Sequence, residues 1–105
     1  MTKIGCPAPP FNSRDVRKVD KGIAREVRTL WANGIETFES CEGGKGHSFP
    51  EPTVRFHGDR SEGFRALAIA IRHGLKVACL RRYWDVNAGE PVGPMWEMIF
   101  VKLNQ

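Results

Sequence analysis

The 105-residue chain is expected to fold as one α+β domain: a two-layer αββαββ arrangement with a four-stranded antiparallel sheet and both helices on one face. Three observations carry that expectation. A helix-period segment is followed by two strand-period segments, and the same order then repeats. Each helical segment stops at a glycine, in Asn33-Gly34 and His73-Gly74, and a β-rich run starts directly after it, at Ile35 and Leu75. The last segment is the most apolar, as suits a strand in the middle of a sheet. An αββαββ order is a circular permutation of the ferredoxin-like βαββαβ arrangement. Carried over, that topology gives the strand order 3-4-2-1.

Residues 1–11 hold Pro7, Pro9 and Pro10 and read as an extended arm that Phe11 can pin to the body. The first helix is expected from Ser13 to Asn33, with Asn12 or Ser13 accepting the first orphan N–H groups. Its apolar face is Val16, Val19, Ile23, Val27, Leu30 and Trp31. Gly22 in mid-helix costs about 1 kcal/mol relative to alanine, and nothing local accounts for it. Strands follow at Ile35–Ser40 and Thr53–Gly58, the second alternating with Val54 and Phe56 inward. Asp59 with Glu62 forms a helix-starting signature, and the second helix runs to His73 with Phe64, Leu67, Ala68 and Ile71 as its buried stripe. The third strand spans Leu75–Val86, the turn-rich run Asn87–Pro94 connects, and the fourth strand is Met95–Leu103.

Composition narrows the class. Hydrophobic residues at 41% and charged residues at 27% are ordinary for a globular domain. No apolar run reaches the length that spans a bilayer, and the N-terminus has no apolar signal region, so a cytoplasmic protein without membrane contact is expected. Cys6, Cys41 and Cys79 are odd in number and widely spaced, which argues against a disulfide framework and fits a reducing compartment. A formal charge of +4 leans toward an acidic partner.

The connection Ser40-Cys41-Glu42-Gly43-Gly44-Lys45-Gly46-His47, continuing to Pro52, carries the densest chemistry in the chain. Glycines let backbone N–H groups turn toward a phosphate or carboxylate, with Lys45 and His47 adding positive charge; this anion-capture reading uses Ser40, Gly43, Gly44, Lys45, Gly46 and His47. A second reading makes Cys41 a thiolate nucleophile activated by Lys45 or His47, with Glu42 or Glu39 orienting the imidazole. A metal would have only Cys41 and His47, two ligands, so neither metal nor cofactor is expected. Against all three stands a plain wide hairpin turn with Cys41 packed under it as a small hydrophobe. His57, four residues along its strand, lies about 13 Å from the loop base and is out of reach. The spacing of Gly-Gly-Lys-Gly is not that of a P-loop.

Arg14, Lys18, Lys21, Arg25 and Arg28 lie four, three, four and three residues apart, within an arc of roughly 80° on the helix surface opposite the apolar face. Like charges at i,i+4 disfavour a helix, so the stripe points to an anionic partner, nucleic acid or an acidic protein surface. On the sheet face away from Val54 and Phe56, Thr37, Glu39, Arg55, His57 and Glu97 are expected, with Glu39 and Glu97 flanking Arg55 across strands.

The run Thr37–His47 resembles the T-x-x-S-C-x-G strand-and-loop of small uncharacterised bacterial and phage proteins. More distantly it is similar to the Ser-Ser-Cys-Ser-Gly-Arg segment of the wybutosine-synthesising family that modifies transfer RNA. Glu39 replaces the first serine, a glycine and a lysine are added, and no arginine follows Gly43. The distant resemblance therefore carries over no catalytic role, and the nearer one implies a small accessory protein that binds host machinery. The function expected is a non-enzymatic binding protein for an anionic partner. A small Cys/His enzyme acting on a phosphate- or acyl-bearing substrate, through Cys41 and His47, is one alternative, and a phage-type protein-blocking module is the other.

Overall fold

The computed structural model describes residues 19–102. A 3₁₀ turn at Lys21–Ile23 leads into helix α1 (Ala24–Ala32), strands β1 (Thr37–Cys41) and β2 (Thr53–Phe56), helix α2 (Arg60–Arg72), and strands β3 (Val77–Asn87) and β4 (Glu90–Phe100). The fold is α+β. Its four strands make one antiparallel sheet in the order β1-β2-β4-β3, which is the expected order read from the other edge. β4 is central, and Met95–Phe100 are all buried. Among the described residues no helix is long and apolar enough to cross a membrane. The expected arm at 1–11, and Arg14 and Lys18 of the basic stripe, lie outside the described residues.

The first helix is shorter than its periodicity predicts. Val19 and Asp20 are not helical, and the α-helix begins at Ala24. Gly22 is the reason. Its N–H donates to Glu42 Oε1 at 2.8 Å, a partner twenty residues away, instead of joining a helical ladder. A Cβ at Gly22 would stand 2.8 Å from both Glu42 Cβ and Oε1, so only glycine admits this contact. At the other end Gly34, with φ +84°, stops the helix as expected.

α2 begins as the sequence says. Asp59 caps it, accepting from the N–H groups of Ser61 (3.0 Å) and Glu62 (3.2 Å). Its carboxyl is held below the ordinary range, first by the Ser61 hydroxyl and then by those backbone donors. The buried stripe matches the expected one only at Leu67, which packs half-buried against the core. Gly63, Ala66, Ile69 and Ala70 face inward, while Phe64 and Ile71 are 58% and 64% exposed. Small residues bring the helix close to the sheet, and the Trp96 indole fills the space over Gly63. Trp96 Nε1 donates to Asp59 O at 2.8 Å, tying β4 to the cap of α2.

The expected connection at 87–94 is a two-residue turn. Ala88 and Gly89 both have positive φ, 53° and 83°, the signature of a tight hairpin. Glu90–Pro94 already belong to β4. The two strands run past the last β2 pair, Phe56↔Trp96, as a two-stranded extension, where Pro91 and Pro94 need no donor toward a third strand.

One cluster of buried side chains joins Ile23, Val27, Leu30 and Trp31 to Ala66, Ile69 and Ala70, and both groups to Val54, Phe56, Trp96, Met98 and Phe100. Thr37 sides with this core, against expectation. An irregularity in the β1–β2 register after Thr37 turns it inward, where its hydroxyl accepts from Trp31 Nε1 at 2.6 Å. On the other face the register sets Glu39, Arg55, Glu97 and Arg81 in a row across all four strands.

Gly63→Ala tests the helix–sheet fit. Its Cβ would lie 2.4 Å from the Trp96 ring, so over-packing should destabilise by about 1–3 kcal/mol. Thermal unfolding should show a midpoint several degrees lower; an unchanged midpoint would refute the fit.

Candidate functional site

The loop from Glu42 to Pro52 is held at three points. At its base Gly43, with φ +84°, is pressed against the backbone of Glu51 and Pro52, where a Cβ would come within 2.4 Å of Glu51 C. In its middle, the Gly44 N–H is shared between Phe49 O (3.2 Å) and Pro50 O (3.1 Å), and the His47 N–H donates to Gly44 O (3.1 Å). Toward the first helix, the Glu42 N–H donates to Asp20 Oδ2 at 3.2 Å while Glu42 Oε1 accepts from Gly22.

These bonds bring Asp20, Cys41, Glu42 and His47 together. The His47 ring lies between two carboxylates, with Nε2 3.2 Å from Glu42 Oε2 and Nδ1 3.6 Å from Asp20 Oδ2. Ligand atoms of Asp20, Cys41 and His47 all fall within 4.8 Å of one another. Cys41 and His47 are brought within 4.8 Å, as the loop's length allows, and of the two expected carboxylates it is Glu42, not Glu39, that lies beside the imidazole. Asp20 was not legible as a participant, because helical spacing placed it on the flank of a helix that has not yet begun there.

Cys41 is fully buried and disulfide-bonded, and its Sγ accepts the Gly43 N–H at 3.4 Å. The expectation of free thiols is thus corrected. An odd cysteine count forbids pairing them all but permits one bridge, and among the described residues Cys79 is the free one. In this state Cys41 has no thiolate to offer, so a Cys/His mechanism has no nucleophile here. The backbone donors of Glu42, Gly43, Gly44 and His47 are all spent inside the protein, and the loop's exposed residues are Lys45, Gly46, Pro50 and Glu51. Ser40 is turned inward; its hydroxyl is buried with no partner among the described residues. His57 is exposed and packs its ring 4.5 Å from that of Phe38, away from the cluster.

The far side of the loop crosses the sheet. Arg55 Nη2 and Nε both reach Glu97 Oε2 at 2.8 Å, and Arg55 Nη1 reaches Glu39 Oε1 at 3.2 Å. Arg81 Nε meets the other Glu97 oxygen at 3.0 Å. The guanidinium is sandwiched between the rings of Phe49, 4.6 Å away, and Tyr83, 4.4 Å away. Burial pulls the Arg55 pKa down, but the Glu97 hydrogen bond and the surrounding negative field outweigh it, and the net shift is upward. Tyr83 is shifted upward chiefly by burial. Its hydroxyl, like Glu39 Oε2, has no partner among the described residues. The sequence pointed to the Glu39–Arg55–Glu97 row but not to Phe49 or Tyr83 as its covers.

Beside the loop base lies a cleft of about 350 Å³, lined by residues that include Glu26, Glu42, Gly43, Phe100 and Lys102. Lys21, Arg25 and Arg28 are exposed on the first helical segment. Comparison with family models, with curated proteins and with solved structures returns no match.

Two measurements check the Arg55 cluster. Glu97→Gln leaves Arg55 with Glu39 alone and takes from Arg81 its carboxylate partner, and loss of one partner from a buried pair should cost about 3–5 kcal/mol in denaturant unfolding; a cost near zero would mean the row is solvated. Tyr83 is the sole tyrosine, so phenolate absorbance reports it alone and should appear above the ordinary value of 10.0. Because the folded-state pKa is raised, this contribution to stability is complete below pH 10 and is lost as pH climbs through the folded value. Alkaline unfolding should accordingly be shallower in Tyr83→Phe.

Proposed function

We propose that the protein is a non-enzymatic binding module for an anionic partner, nucleic acid or an acidic protein surface, engaged through the cations of the first helical segment. The supporting observation is that Lys21, Arg25 and Arg28 are exposed and that none is ion-paired with another described residue. Arg25 spends one donor on His73 O at 3.4 Å, and the exposed Lys76 and Lys102 extend the positive rim beside it. Lys45 and Gly46 add the loop tip. The loop is a scaffold in this reading, since its inner N–H groups are already used. Arg14 and Lys18 continue the stripe in sequence and lie outside the described residues.

The fold behind this surface is proposed to be the two-layer, permuted ferredoxin-like arrangement with both helices on one face. The single core that joins both helical segments to Val54, Phe56, Trp96 and Met98 supports it. A cytoplasmic location belongs to the same proposal. The Cys41 disulfide stands against it, because reducing compartments keep thiols reduced.

A second reading rests on a separate observation. Where β3 and β4 run past the sheet, Trp84, Val86 and Val92 are 58%, 66% and 45% exposed. Isolated exposed apolar residues are common, but three on one projecting hairpin suit a protein partner. This is the blocking module, and it fits the accessory role that the loop resemblance implies.

Binding to an oligonucleotide duplex across a salt series separates the two. Under the first reading the logarithm of the affinity falls linearly with the logarithm of salt, by about 0.9 per phosphate contacted. K21E/R25E/R28E should then flatten the slope and weaken binding, whereas W84S/V86S should leave both alone. Salt-independent affinity, or a triple variant that binds like the parent, would sink the first reading.

A further inference from the structure

We propose that Asp20, Cys41 and His47 form a zinc site in the reduced protein, oriented by Glu42, and that this site and the Cys41 disulfide are mutually exclusive. The proposal goes beyond the anionic-partner reading and is independent of it.

Three features of the cluster support a cation. The donor set is one sulfur, one imidazole nitrogen and one carboxylate oxygen, a mixture that suits Zn²⁺ and is foreign to the all-oxygen sites of magnesium and calcium. The spacing is also right. With metal–ligand bonds of about 2.0–2.3 Å, ligand atoms on a tetrahedral shell stand roughly 3.3–3.7 Å apart. His47 Nδ1 and Asp20 Oδ2 are 3.6 Å apart, and the cluster's limit of 4.8 Å needs about 1 Å of closure. Finally, the imidazole is already oriented as zinc-bound histidines are. Glu42 Oε2 lies 3.2 Å from Nε2, within hydrogen-bond reach, and Nδ1 is turned to the Asp20 side.

The oxidised state blocks the site, because a disulfide sulfur is not a thiolate ligand. Two equivalents of a low-molecular-weight thiol reduce the bridge, forming their own disulfide and returning two protein thiols. Zn²⁺ then takes the place of the proton on Cys41 Sγ, and that proton passes to solvent. Three protein ligands are the count of an open zinc site, and the partly exposed Asp20 and His47 leave the fourth position to water. Cys79 cannot take part: it lies on β3, at the opposite edge of the sheet from β1.

The test uses the full chain, oxidised and phosphine-reduced, titrated with Zn²⁺ against a chromogenic chelator and with Co²⁺ by absorbance. Reduced protein should bind one equivalent, and the cobalt form should show a thiolate charge-transfer band with tetrahedral d–d bands. Oxidised protein should show neither. Cys41→Ser and His47→Ala should abolish the site, Glu42→Gln should weaken it about tenfold or more, and Cys79→Ser should change nothing. The cobalt spectrum is read on the unmutated chain, so it stands even where a variant folds poorly. Absence of binding by the reduced chain, binding that persists in His47→Ala, or a cobalt spectrum without the thiolate band would each overturn the proposal.

Discussion

The Arg55 guanidinium sets the terms for the face of the sheet that carries Glu39, Glu97 and Arg81. A charge in the middle of a sheet costs several kcal/mol of lost hydration unless every side of it is answered. Two carboxylates on neighbouring strands answer its N–H groups, and two aromatic faces answer its flat surfaces. Tyr83 comes with the sheet. Phe49 comes only from the loop, so the loop must fold back across β2 for the guanidinium to be covered. The long connection between β1 and β2 is therefore constrained by electrostatics at its far end as much as by glycines at its base.

That constraint reaches the His47 cluster. A loop anchored by Phe49 on Arg55 and by Gly43 against Pro52 has little freedom left between the two anchors, and His47 lies in that interval. The remaining tie runs to the first helical segment, where Glu42 binds Gly22 and Asp20 binds the Glu42 N–H. Gly22 thus breaks the helix so that the loop can dock, and the docking places a carboxylate on each side of the imidazole. Fold and site share the same few bonds.

Local patterns in the sequence account for much of this. Period-two alternation and a hairpin register are enough to align Glu39, Arg55 and Glu97, and the capping residues of α2 sit where Asp59 and Glu62 announce them. What was not legible depends on partners distant in sequence. Val16, Val19, Ile23 and Val27 keep helical spacing straight through the point where Gly22 leaves the helix, and nothing nearby signals Glu42 as its acceptor. Phe64 and Ile71 look like core, yet Gly63, Ala66 and Ala70 take those places because Trp96 needs room above a small surface. Prolines and glycines at 87–94 read as a loop, but a two-stranded extension tolerates residues that a central strand rejects. The Cys41 bridge is hidden for the same reason: spacing alone does not pair cysteines.

Charge divides the two proposed activities in space. Asp20 and Glu42 surround His47 with negative potential, so a phosphate approaching that ring would meet two carboxylates before it met the imidazole. The same field favours a cation, and a cation would relieve the repulsion between those acids. Lys21 and Arg25 are set on the adjoining helical segment, and their positive field is left for an anion outside the cluster. A residue such as Lys21 cannot serve both: a partner phosphate that it binds is held away from the cluster by Asp20, its chain neighbour. One 3₁₀ turn therefore carries both charges apart: Asp20 and Gly22 hold the loop, while Lys21, between them, faces out.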